Sequence, residues 1–179
     1  MFESVGFGVG SEQIRVFVSY DREHDGDLHD RLVEQASNST SGFEISARSR
    51  ARVPTDLWDE GLRREIREAD EVIIICGEHT DCSESVGTEL RIAREEKRPY
   101  FLLWGRRELM CTKPATAKRA EGMFSWTWEI LQSQIFTIHR AAQSNERWAA
   151  LRRAKATPSG SPPSRPSATP SQPRFSEAR

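Results

Sequence analysis

Residues 71–76 read EVIIIC, a run with no charged side chain after its glutamate. On the two-residue period of a strand, both faces of such a segment are apolar. A strand of that kind belongs in a sheet covered by helices on both sides. Two further runs, IRVFVSY at 14–20 and PYFLLW at 99–104, share its β-branched and aromatic character. GFEIS at 42–46 and GMFSW at 122–126 read as shorter strands. Between these runs apolar residues recur at helical spacing: Leu28, Leu32, Val33 and Ala36, then Trp58, Leu62, Ile66 and Ala69 after Thr55 as an N-cap. Trp128, Leu131 and Ile135 predict another helix, and a last one runs from about Ala141 into Lys155. Strand and helix in alternation predict a parallel α/β sheet of about five strands with right-handed crossovers. Ligands of such sheets bind beyond the carboxyl ends of the strands, where Tyr20, Asp21, Ser46, Cys76, Gly77 and Trp104 fall.

The 179 residues divide into an N-terminal segment (1–12), a domain over 13–155 and a tail over 156–179. The tail holds six of the nine prolines and six serines, and Phe175 is its one large apolar side chain. It cannot bury enough surface to offset its ordering entropy, so it is expected to be disordered. A net charge of -1, from 26 basic and 27 acidic residues, gives no bulk signal for nucleic acid. No apolar run approaches the ~20 residues of a membrane span, and MFESVGFGVG lacks the basic start and apolar core of a signal peptide. Cys76, Cys82 and Cys111, without a CxxC pair, suit reduced thiols in a cytoplasmic protein. Cys76, His79 and Cys82 have a metal-like spacing, but Cys76 is better explained as the end of a buried strand, so no metal is expected. Gly6, Gly8 and Gly10 precede the first strand, whereas a dinucleotide fingerprint must follow one.

Two groups of polar residues carry candidate chemistry. In SESVGTELRIA (83–93), Val86, Leu90, Ile92 and Ala93 form the apolar arc of a helix, and Glu89 falls inside that arc. One reading is a boundary residue that reaches solvent or pairs with Arg63 or Arg64. The other is a carboxylate in an apolar cleft, where weak screening lets it stabilise a developing positive charge. Periodicity leaves both open. The second group is Arg48, Arg50 and Arg52 in the loop ARSRARVP (47–54): a solvated loop, or a phosphate clamp overhanging the binding edge.

VFVSYDREHDGDLHDRL (16–32), DLWDEGL through PYFLLW (56–104) and GMFSWTWEILQSQI (122–135) resemble the TIR-like domains of the Thoeris ThsB group. These are relatives of Toll/interleukin-1 receptor domains with a flavodoxin-like, three-layer α/β fold. The resemblance spans about residues 13–139. It implies NAD as substrate, with no further cofactor, and cleavage of the nicotinamide–ribose bond to give a cyclic ADP-ribose-type signal in antiphage defence. It also implies self-association and a separate effector reached through that nucleotide; on charge and hydropathy, neither nucleic acid nor membrane is expected as a partner. The family's Ser-x-Trp-Cys-x-x-Glu pattern maps onto Ser83, Val86 and Glu89, which makes Glu89 the catalytic candidate. Tyr20, Asp21, Ser83, Arg48 and Arg50 are the nucleotide-binding candidates. Ser85 stands where Trp is usual and removes an aromatic wall. That departure keeps a second reading in play: a catalytically silent TIR-like adaptor acting by self-association. A receiver-like domain is disfavoured, because the strand ending in Cys76-Gly77 offers no phosphoacceptor aspartate.

Overall fold

The computed structural model describes residues 13–37, 41–49 and 56–156. Its elements run β1 (Ile14–Ser19), α1 (Gly26–Ala36), β2 (Phe43–Arg48), α2 (Asp56–Glu68), β3 (Glu71–Cys76), α3 (Glu84–Glu95), β4 (Tyr100–Trp104), β5 (Met123–Ser125) and α4 (Trp128–Ala156). The five strands form one sheet in the order β2-β1-β3-β4-β5, every pair parallel. That is the flavodoxin-like order, whose direction reverses between β1 and β3. Residues 1–12, the N-cap Thr55, Arg50, Arg52 and the tail beyond Ala156 lie outside the described residues.

β3 lies at the centre of the sheet with all six residues buried. Its alternate side chains feed two cores. Ile73 and Ile75 join Val16, Val18, Leu28, Leu32, Leu103, Leu131 and Ile135 on the face covered by α1 and α4. Val72, Ile74 and Cys76 join Phe17, Leu62, Ile66, Val86, Leu90 and Leu102 on the face covered by α2 and α3. The double burial predicted from EVIIIC is thus what the sheet provides.

Two features, in α4 and in α1, differ from the sequence-based expectation. Trp128 to Ala156 is one helix of 29 residues, where two were expected; no proline or glycine interrupts the segment, so nothing breaks its backbone hydrogen bonding. The connection from β4 to β5, residues 105–122, contains no helix. It is held by Thr112 N–H donating to the Gly77 carbonyl (2.8 Å) and by Arg94 bridging Glu121, while Cys111 and Ala117 fill the core beneath it. On α1, Val33 is 37% exposed, whereas His29 is buried and stacks on the Tyr20 ring at 4.6 Å.

Gly105, just past β4, shows how closely the strand ends approach. A Cβ there would sit 2.5 Å from Leu28 Cδ1 and 2.9 Å from the carbonyl oxygen of Cys76. The same carbonyl accepts the Gly105 N–H at 2.9 Å, so the backbone has no room to yield. Gly105→Ala is therefore expected to cost about 1–3 kcal/mol, read as a lower midpoint in thermal or urea unfolding. An unchanged midpoint would mean that α1 and β4 can separate freely here.

Candidate active site

Alternation along β1 sends Phe17 and Ser19 to the α2/α3 face, and Val18 and Tyr20 to the α1/α4 face. Ser19 ends β1 at the carboxyl edge of the sheet, facing α3. On α3, Val86, Leu90 and Ala93 lock the helix onto the core, which turns Glu89 inward. The two meet: Ser19 Oγ donates to Glu89 Oε2 at 2.5 Å. Ser49, the residue after β2, donates to the same oxygen at 2.5 Å. The other oxygen, Oε1, has no hydrogen-bond partner among the described residues. Glu89 is 0% exposed. Neither Arg63 nor Arg64 reaches it; Arg63 instead pairs with Glu95 and Glu96, and Arg67 also pairs with Glu96.

Burial dominates the titration of Glu89 and pushes its pKa up to about 7. The Ser19 and Ser49 hydroxyls and the positive charge of Arg22 act the other way, and the charge of Glu65 adds to the rise. A carboxyl titrating near neutrality is placed to exchange charge at working pH.

Ser49 also lines a cavity of about 610 Å³ between the end of β2 and α2, bordered by Arg15, Arg22, Arg48, Arg64 and Glu65. Arg15 pairs with Asp70. Arg22, Arg48 and Arg64 are exposed and make no ion pair among the described residues. Three guanidinium groups without an ion pair among the described residues, set around one groove with Glu65 and Glu68, can meet an anion with several oxygens, such as a pyrophosphate. Arg48 is the last residue of β2 rather than a loop residue.

The other candidates lie elsewhere. The Tyr20 ring is on the opposite face of the sheet from Glu89, against His29; its backbone N–H donates to Ser49 Oγ at 3.0 Å. Asp21 is buried, accepting from the Glu23 N–H and facing His24 Nδ1, both at 3.0 Å. Ser83 occupies the N-cap position of α3 in a separate cavity of about 390 Å³ with Cys82, Thr88 and Arg91. Its hydroxyl meets that of Ser85 at 3.2 Å, where the family pattern has an aromatic ring. Cys76 ends β3, and burial raises its thiol pKa to about 12, which disfavours the thiolate that a metal requires. Among the described residues no group of three or more His, Cys, Asp or Glu is placed to hold a metal ion.

Ser19 and Ser49 were not among the sequence candidates. Ser19 carried a signal: a polar residue closing an apolar strand, two positions after Phe17 and so on the same face. Ser49 carried none, being one polar residue in an arginine-studded stretch.

The sheet order defines a doubly wound, flavodoxin-like α/β domain, with a glutamate turned inward on its third helix. The model of one family, described as the TIR-like domain of Thoeris protein ThsB, matches residues 17–106, and the chain belongs to that family. No curated protein matches the chain. Among solved structures, a 3-dehydroquinate dehydratase-like protein from Bifidobacterium longum is 10% identical, covering 73% of this chain and 98% of its own, with a TM-score of 0.41. A prokaryotic SEFIR domain is 19% identical, covering 72% of this chain and 91% of its own, also with a TM-score of 0.41.

Proposed function

We propose that this TIR-like domain processes NAD in a Thoeris-type antiphage response. It breaks the bond between nicotinamide and ribose, and the product is a cyclic ADP-ribose-type signal for a separate effector. The observation that carries this reading is Glu89, a buried carboxylate with one oxygen unpartnered among the described residues, tied through Ser49 to an arginine-lined groove. When the C–N bond breaks, its electron pair leaves with nicotinamide and C1′ of the ribose becomes cationic. An ionised carboxylate in a poorly screened site stabilises that charge. Capture of C1′ by a nucleophile from the same nucleotide closes the ring; capture by water gives the open product. The pyrophosphate would lie along Arg22, Arg48 and Arg64. No helix among the described residues is long and apolar enough to cross a membrane.

Two observations favour the adaptor reading: Ser85 in place of the aromatic wall, and a Glu89 with no exposed surface. Assembly of several copies would reconcile burial with catalysis by opening or completing the site. The test is nicotinamide release from NAD in cells carrying the chain and challenged with phage, alongside purified protein at high concentration. Release supports the enzyme reading. Its absence in both settings, together with self-association, would place the adaptor reading ahead.

The groove makes a separate prediction. Replacing Arg22, Arg48 and Arg64 together by Ala should weaken NAD binding at least about tenfold at low salt, since each removes a charge-assisted contact. These side chains are exposed, so the unfolding midpoint should stay put. Isothermal titration read beside thermal unfolding checks both halves, and undiminished affinity would remove the phosphate role from the groove.

A further inference from the structure

Ser49 is the residue, among those described, that both lines the arginine groove and hydrogen-bonds Glu89. Its position is set by β1 on two sides. The Ser49 N–H donates to the Val18 carbonyl at 2.9 Å, and its hydroxyl oxygen accepts the Tyr20 N–H at 3.0 Å. The backbone therefore occupies the hydroxyl oxygen as an acceptor and leaves its single proton for Glu89 Oε2. Ser19, the last residue of β1, directs its own hydroxyl to the same oxygen from the strand beneath. Two donors on one carboxylate oxygen and, among the described residues, none on the other make the two oxygens unequal.

We propose that Ser49 is a positioning residue for Glu89: with Ser19 it anchors Oε2 and leaves Oε1 as the oxygen that takes up a proton or meets the reacting ribose. The assignment rests on the reading of Glu89 as the group that acts on NAD. Hydrogen bonds given to a carboxylate favour its charged form, so the two serines oppose the burial that favours the neutral form. The charged groups acting on Glu89 are Arg22, from the turn after β1, and Glu65, from α2; they act in opposite directions. Neither replaces the serines, because neither fixes which oxygen is free.

The test follows the Glu89 carboxyl by carbon-13 NMR in the labelled full-length chain, its resonance identified by loss in Glu89→Gln. Ser49→Ala should raise the titration midpoint of Glu89 by about one pH unit, the size expected for one hydroxyl–carboxylate bond. Ser49→Thr, which keeps the hydroxyl, should restore it. The rising limb of nicotinamide release against pH should move by the same amount, giving about a tenfold loss below the midpoint and little loss well above it. Ser19→Ala repeats the experiment from the other donor if Ser49→Ala does not fold. An unmoved midpoint with a lowered unfolding temperature would make Ser49 merely structural and overturn the proposal. A moved midpoint without nicotinamide release from any form would uphold the positioning role and instead sink the NAD reading.

Discussion

Glu89→Gln is expected to reduce nicotinamide release at least about a hundredfold, the usual consequence of removing an electrostatic stabiliser from a poorly screened site. The amide keeps the size of the side chain, and its oxygen can still accept from Ser19 and Ser49. What is lost is the negative charge, which matters only as the ribose becomes cationic. Loss of release is therefore not to be confused with loss of fold, and stability gives an independent check. The folded pKa of Glu89, about 7, lies above the 4.5 of an unperturbed glutamate. A group raised in this way contributes its full stability below pH 4.5 and loses it as pH rises to about 7, because the unfolded chain ionises first. The loss amounts to about 3 kcal/mol. Gln cannot ionise and escapes it, although its amide N–H group meets no acceptor and costs about 1–3 kcal/mol at every pH. The difference in stability between variant and wild type should thus shift in the variant's favour between pH 4.5 and pH 8. Urea unfolding at the two pH values reads this directly. Equal nicotinamide release from both proteins would end the catalytic assignment.

Much of the sheet was legible because strands buried on both faces leave an unambiguous mark. EVIIIC coincides with β3 over residues 71–76, and the apolar core of IRVFVSY with β1. The limits of legibility have equally local causes. A helix with a narrow apolar arc, such as the far half of α4, gives little periodicity once it runs beyond the core, so its continuity with Trp128 was missed. The β4–β5 connection is tied down by Arg94, Tyr100 and Glu121, whose mutual contacts no local periodicity signals. Glu89 illustrates both sides. Its place on the inner arc was visible on a helical wheel, but whether it faced solvent or the core depended on what β1 and β2 presented. Only the fold brings Ser19, Ser49 and Glu89 together, since their contacts span 70 and 40 residues of chain. The Tyr20 ring shows the converse: next to Ser19 in sequence, it is turned to the other face by the period of the strand.

That same period leaves a second acid inside the molecule, far from this site. Glu71 is the first residue of β3, paired in register with Val16, at the end of the strand opposite Cys76. It is fully buried, and neither carboxyl oxygen has a hydrogen-bond partner among the described residues. Burial alone pushes its pKa from 4.5 up to about 9. The folded protein at pH 8 therefore holds a neutral Glu71, while the unfolded chain carries it ionised. The sign follows: the stability is whole below pH 4.5 and is lost as pH climbs towards 9, by about 5 kcal/mol at pH 8. Glu71→Gln removes the ionisation and keeps the shape, so it should raise the unfolding temperature at pH 8 on the order of 10 °C. At pH 4, where neither state is charged, only the amide N–H without an acceptor separates the two proteins, and the variant should be the less stable by about 1–3 kcal/mol. Parallel pH profiles would mean that Glu71 finds a partner in solution and never bears this cost. Nicotinamide release should be unaffected, because Glu71 and Glu89 lie at opposite ends of the strands. An acid that destabilises the fold can then be separated by a single substitution from one held ready for chemistry, with Ser19 and Ser49 marking the difference.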